Sequence, residues 1–220
     1  MKNIVNIEFA RKRFDKVKSY YAPKGLAPQL SQLRIETDIV DGQGSYEFDL
    51  KKENLSVVEN GLKRNDLFVC LGIGVFLRID NPQKPGTAPL MTHTIVAPAD
   101  GNEGFTTADI EALYNGSLYI STGTTVNIQD MPTMLFKSVK EVEDEFNFED
   151  DIKMMAEEII FAGTQDHRVK VNFPTFANAD YSAKAEGGVP KLVFVALGYR
   201  VVGGTLEKYR EQANPYNDAI

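Results

Sequence analysis

The spacing of apolar residues changes near Pro28, from a helical period to a strand period. Before that proline, apolar residues recur every three or four positions, at Ile7, Ala10, Phe14, Val17 and Tyr21. This spacing places them on one face of a helix and most of the intervening basic residues on the other. Pro23 and Gly25 are typical of a helix end. We therefore predict a basic N-terminal helix over 1–25 and a separate body over 26–220.

Beyond Pro28 the apolar and polar residues alternate, which is typical of half-buried strands. Two such runs, at 33–39 and 46–50, lie on either side of the turn DGQG at 41–44. Two alternating runs around a glycine-rich turn predict a β-hairpin.

The run at 67–79 is apolar on both faces, which indicates a central strand that is covered on both sides. Gly72 and Gly74 within it predict a bend or bulge. Cys70, among these apolar neighbours, is predicted to be a small buried core residue. Further strands are predicted at 92–98, 117–122, 125–129, 134–139, 168–176 and 191–204.

Two short helices are predicted between strands, at 108–116 and at 149–162, each ending at a glycine. Strands and helices do not alternate regularly, which argues against a parallel sheet. The predicted fold class is therefore mainly β: an antiparallel jelly-roll sandwich with the N-terminal helix and short helices in loops. A minimal double jelly roll, with two closely packed barrels, remains the alternative.

Charge is distributed unevenly along the chain. Residues 1–24 contain seven basic groups and two acids, a net charge of +5, whereas the 220-residue chain has a formal net charge of −7. The candidate residues for contact with an anionic membrane or nucleic acid are Arg11, Lys12, Arg13, Lys16 and Lys18. Near an anionic membrane surface each basic residue contributes on the order of 1 kcal/mol. The alternative is that the apolar side of the helix docks on the body and the charges are solvated.

Residues that commonly perform catalysis or bind metal are few. Cys70, His93 and His167 are too far apart in sequence to predict a zinc site. We find no nucleophile elbow, dinucleotide fingerprint or P-loop. The acidic stretch 141–151 lacks the calcium-loop pattern, so calcium binding there is left open. We predict no enzyme activity and no cofactor.

No apolar stretch predicts a secretory signal or a membrane span, so we expect folding in a cytosol.

Three segments of the body resemble structural proteins of small tailless icosahedral bacteriophages. They are QLRIETDIVDGQGSYEFDL (32–50), RNDLFVCLGIGVFLRIDNP (64–82) and PKLVFVALGYRVVGG (190–204). The layout, a basic leading helix followed by a β-sandwich with long loops, is similar to a jelly-roll major capsid protein. The double-barrel members of that group are usually longer than this chain, which leaves the barrel count open.

The resemblance implies a self-assembling subunit of an icosahedral capsid, without catalytic residues. Its partners would be copies of itself, as a homotrimer in the double-barrel members, together with other virion proteins. It would be assembled in the host cytoplasm and reside in the virion, with the N-terminal helix facing an internal membrane or the genome. The alternative function is a carbohydrate-binding or adhesion module, which is also a β-sandwich.

Overall fold

The computed structural model describes residues 2–88, 90, 114–136, 152–174, 188–204 and 206, with side chains from residue 11 onward. An N-terminal helix, Lys2–Tyr21 (α1), is followed by a 3-10 turn at Ala22–Lys24. Gly25 ends this segment with φ of 73°, in the left-handed region that favours glycine. The predicted helix and its end are confirmed.

Eight antiparallel strands in the described residues form two four-stranded sheets. The first sheet has Gln29–Asp38 (β1), Val189–Val202 (β8), Asp66–Asp80 (β3) and Lys153–Ala162 (β6), in the order β1-β8-β3-β6. The second has Ser45–Phe48 (β2), His167–Asn172 (β7), Ser117–Thr122 (β4) and Thr125–Pro132 (β5), in the order β2-β7-β4-β5. The mainly β, antiparallel fold class is confirmed.

The two sheets share one apolar core, as expected of a β-sandwich. Phe194 of β8 and Phe48 of β2 meet across it, with ring centroids 5.7 Å apart. Leu33 and Ile35 enter the core from β1, and Val169 from β7. All eight described strands belong to this single sandwich.

Strand β3 is buried along its whole length. Before Cys70 its even-numbered residues face the core, as Phe68 does; after Gly72 its odd-numbered residues do, as Ile73 does. The change of parity coincides with a register shift between Cys70 and Gly72 against both neighbouring strands. A Cβ on Gly72 would lie 2.6 Å from the Ile152 side chain, so the bulge needs a residue without one. The predictions of a central strand, a glycine bulge and a buried Cys70 are confirmed.

The predicted hairpin between 33–39 and 46–50 is wrong. Both runs form strands, but β1 pairs with β8 and β2 pairs with β7, so they belong to different sheets. The turn at 41–44 therefore connects the two sheets at the edge of the sandwich. Tyr46 fixes this crossing, because its hydroxyl donates to the Val40 carbonyl at 3.0 Å and accepts from the Val40 N–H at 3.3 Å.

The predicted helix at 149–162 is also wrong, because this segment contains β6. The register of β6 against β3 explains why the apolar residues of this segment have a helix-like spacing. Two steps along β3, from Cys70 to Gly72, are matched by five steps along β6, from Ile159 back to Met154. The extra residues form a bulge in β6 that breaks the strand alternation and leaves a helix-like pattern in the sequence.

Other predictions have mixed outcomes. The strands predicted at 117–122, 125–129, 168–176 and 191–204 are confirmed as β4, β5, β7 and β8, although β7 ends at Asn172 and β8 at Val202. The predicted strand at 134–139 begins instead within a 3-10 turn, Thr133–Phe136. The predicted strand at 92–98, most of the helix at 108–116, the acidic stretch 141–151 and His93 lie outside the described residues.

Candidate functional site: the basic face of helix α1

The apolar side of α1 lies on the outer face of the first sheet. Val17, Tyr20 and Tyr21 are buried in a cluster with residues of β3 and β8, and Phe14 packs against the same cluster. The rings of Phe14 and Tyr199 are 5.0 Å apart. Burying one large apolar side chain contributes roughly 1.5–3 kcal/mol. The helix is therefore held mainly by its own apolar residues.

Arg13 fastens α1 to the bulge of β6. Its guanidinium donates to the Met155 carbonyl at 3.2 Å and to the Ala156 carbonyl. Its Nε lies 3.9 Å from Glu158 Oε1, and Lys16 Nζ lies 3.6 Å from Glu158 Oε2. The bulge supplies carbonyl groups that fall between the paired positions of β3 and β6. Arg13 therefore donates hydrogen bonds to backbone carbonyls of β6 that the bulge places outside the pairing with β3.

The structure divides the five predicted anion-facing residues into two groups. Arg13 and Lys16 contact the body of the same chain, and only 12% of the Arg13 side chain is exposed. Arg11, Lys12 and Lys18 are exposed. Sequence analysis missed Glu158 as their acidic partner, because its segment was predicted to be a helix rather than a strand beside α1.

The C-terminal end of α1 is tied down by aromatic contacts. Lys24 Nζ lies 3.3 Å from the Tyr20 ring centroid, a cation–π contact. The rings of Tyr20 and Tyr21 meet edge to face at 4.7 Å. Burial raises the pKa of Tyr21, and the neighbouring Tyr20 adds to this effect. These contacts order the end of the helix locally, and the buried Tyr20 and Tyr21 side chains attach it to the sheet.

This docking limits how α1 can meet an anionic surface. Insertion of an amphipathic helix into lipid buries its apolar face in the acyl region. In α1 that face already covers β3 and β8 over Phe14–Tyr21, so insertion would require the helix to detach. Electrostatic contact through Arg11, Lys12 and Lys18 does not require the helix to detach. Among the described helices, none is long and apolar enough to cross a membrane.

The described residues offer little reactive chemistry. Burial raises the pKa of the Cys70 thiol to about 12, so it is not a nucleophile at neutral pH. His167 lies at the start of β7, as a strand-edge residue, and its Nε2 is 2.6 Å from the Ala162 carbonyl oxygen. Within the part of the chain that the structure describes, no three His, Cys, Asp or Glu side chains form a group suited to a metal ion.

Comparison with known proteins assigns no family. No family model matches this chain, and neither a curated protein nor a solved structure matches it. The function must therefore be inferred from the strand pairing and from the charged surface of α1.

Proposed function

We propose that this chain is a structural subunit of a virus capsid and works by assembling with copies of itself. The body would be a jelly roll, and α1 would lie on the inner side of the shell. Its exposed cations would meet anionic phosphate there, from an internal membrane or from packaged nucleic acid. This function agrees with the resemblance of the sequence to capsid proteins of small tailless bacteriophages.

The pairing of the strands carries the proposal. The antiparallel pairs β1–β8, β2–β7, β3–β6 and β4–β5 are nested, with the first strand joined to the last and the fourth to the fifth. A long antiparallel hairpin with four strands in each arm gives these pairs when it wraps into two sheets. Jelly rolls have eight strands in two sheets, and they serve as building blocks of viral capsids as well as of lectins.

The charge distribution of the chain favours the capsid over a lectin. Three exposed cations of α1 belong to a segment with a net charge of +5, in a chain whose net charge is −7. A basic element on an otherwise acidic subunit suits a shell whose inner side binds phosphate and whose other, acidic surfaces keep the subunit soluble. Carbohydrate binding would instead use an aromatic platform and would need no basic helix.

The assembly test is the mass of the purified full-length chain in solution. We expect trimers or closed shells by light scattering, and rings or shells by negative-stain electron microscopy. Association should persist in 0.5 M salt if apolar and backbone contacts between subunits drive it. A chain that stays monomeric at high concentration and binds immobilised glycans would contradict the capsid function and support the adhesion module.

The second test concerns the exposed cations of α1. Replacing Arg11, Lys12 and Lys18 with Gln should weaken binding to phosphatidylserine vesicles or to single-stranded DNA by about 100-fold, since each contributes about 1 kcal/mol. A control variant with Lys84 and Lys153, two exposed residues of the body, replaced by Gln should bind as the wild type does. Equal losses in the two variants would contradict a specific role for α1. The ligand that the wild type prefers would distinguish lipid from genome.

A further inference from the structure

A cleft of about 710 Å³ opens where the β2–β3 connection meets the turn between β6 and β7. The connection contributes Lys51, Lys52, Lys63 and Arg64, and the turn contributes Gly163 and Thr164. This volume falls within the usual range of small-ligand pockets, roughly 300–1,000 Å³. Four basic side chains therefore surround a space that can hold a small molecule.

Two of these cations have no side-chain partner among the described residues. Lys63 and Arg64 are exposed, and neither makes a hydrogen bond or ion pair through its side chain with the residues that the structure describes. Glu53 is the acidic side chain in the lining and can offset one of the charges. The lining therefore carries excess positive charge that is open to an anion.

The other two cations differ in how firmly they are held. Lys52 Nζ contacts both carboxylate oxygens of buried Glu59, at 2.8 and 2.9 Å. Lys51 Nζ contacts Asp166 at 3.0 Å, but the Asp166 side chain is fully exposed. Exposed pairs of this kind contribute only about 0–1 kcal/mol. Lys51 can therefore exchange Asp166 for a bound anion, whereas Lys52 stays with Glu59.

The backbone holds the Lys63–Arg64 pair in place before any ligand arrives. The Gly163 α-carbon lies directly against the Lys63 and Arg64 carbonyl groups, and a Cβ at this position would overlap them. The Gly163 N–H donates to the Asp66 carbonyl at 2.9 Å, and the Asp66 N–H donates to the Lys63 carbonyl at 3.0 Å. The backbone of this segment is therefore fixed before binding, and only the two side chains would have to become ordered on the ligand.

We propose that this cleft binds a small molecule that carries a chain of phosphate groups, with Lys63 and Arg64 as its main contacts and Lys51 as a third. Arg presents a planar fork that matches phosphate oxygens, and Lys adds a point charge. Three cations that line one cleft can neutralise several linked phosphates, which favours such a ligand over a single phosphate. Inorganic polyphosphate and nucleoside triphosphates share this chemistry. The site is separate from α1 and does not depend on the capsid function.

Calorimetric titration of the full-length chain at 50 mM salt tests this site, with tripolyphosphate and ATP as probes. We expect the wild type to bind both. The K63Q/R64Q variant should bind at least tenfold more weakly, whereas the charge-preserving K63R/R64K variant should keep most of the affinity. The control is K84Q/K153Q, which removes two exposed cations of the body that do not line the cleft and should leave the affinity unchanged. Lys51→Gln should weaken binding by a smaller factor, because Lys51 already has Asp166 as a partner.

Each outcome is informative about the site. Equal affinity for the two probes supports recognition of the phosphate chain alone, and tighter binding of ATP supports a nucleotide. No heat with either probe on the wild type would overturn the proposal. Equal losses in K63Q/R64Q and K84Q/K153Q would also overturn it, because they would indicate general charge attraction. Preference for an oligonucleotide over tripolyphosphate, lost in K63Q/R64Q, would replace the small ligand with nucleic acid.

Discussion

The imidazole of His167, at the start of β7, is half-buried beside the Phe161 ring, with centroids 5.3 Å apart. Its Nε2–H donates to the Ala162 carbonyl, and its Nδ1 has no hydrogen-bond partner among the residues described here. Protonation would add a second N–H without an acceptor. Burial, the largest cause, lowers the pKa of His167 from its ordinary 6.5, and this outweighs the carbonyl contact, which raises it.

This shift predicts a stability that depends on pH. Because the folded pKa lies below the unfolded one, the unfolded chain takes up a proton first as the pH falls below about 6.5. The folded state therefore loses stability between that pH and the folded pKa, by about 1.4 kcal/mol for every unit that separates the two values. Urea denaturation at pH 7.5 and pH 5 should show this loss in the wild type and a smaller one in His167→Gln.

The second histidine of the chain provides the control. His93→Gln removes the same side chain from another position and measures how much of the pH-dependence comes from the other imidazole. If the two substitutions reduce the pH-dependence equally, the burial of His167 is not its cause.

At the scale of single elements, Arg13 is expected to decide whether α1 stays on the sheet. Hydrogen bonds that involve a charged group contribute roughly 1.5–3 kcal/mol, and removing Arg13 leaves two carbonyls of the β6 bulge without this donor. Arg13→Ala should lower the free energy of unfolding by about 2–3 kcal/mol. It should also speed amide hydrogen exchange in α1 while the exchange of β4 and β7 stays slow.

Arg11 is the matched control because it belongs to the same helix but is exposed. Arg11→Ala should change the free energy of unfolding by no more than about 0.5 kcal/mol. An Arg13→Ala protein as stable as the Arg11→Ala protein would mean that the apolar contacts of α1 suffice.

The elements also show what local patterns can and cannot encode. Strands β3 and β8 were predictable because long apolar runs at strand period have few other interpretations. The sequence of β6 led to a wrong helix prediction because the bulge interrupts the strand alternation of its apolar residues. The bulge arises from pairing with β3 rather than from any local preference. The hairpin prediction failed for the same reason: alternation identifies a strand but not its partner.

The candidate sites were predictable to different degrees. The basic face of α1 was predictable because its residues are close in sequence. Only the fold shows that Lys16 lies beside Glu158, whereas Lys12 does not. The cleft was missed entirely. Its basic residues lie at 51–64, and the glycine that supports them is residue 163. Neither segment has a motif, so only the pairing of the strands brings them together.

At the scale of the whole molecule, the nested pairing predicts an order of folding. Thr122 of β4 pairs with Thr125 of β5, whereas Asp38 of β1 pairs with Lys191 of β8, 153 residues away. Closing a longer loop costs more conformational entropy. Pulse-labelling hydrogen exchange during refolding should therefore show amides of β4 and β5 protected before those of β1. Protection of β1 first, or of all strands in one step, would contradict this order.

The order of α1 and its sheet along the chain has a consequence for synthesis. The helix leaves the ribosome before the sheet, and the carbonyls that Arg13 binds emerge more than 140 residues after it. Most of β8, which lies under the helix, emerges later still. At translation speeds of roughly 5–20 residues per second, the nascent helix spends on the order of ten seconds without its sheet. During that interval Phe14, Val17 and Tyr21 lack the apolar partners that they have in the folded sheet.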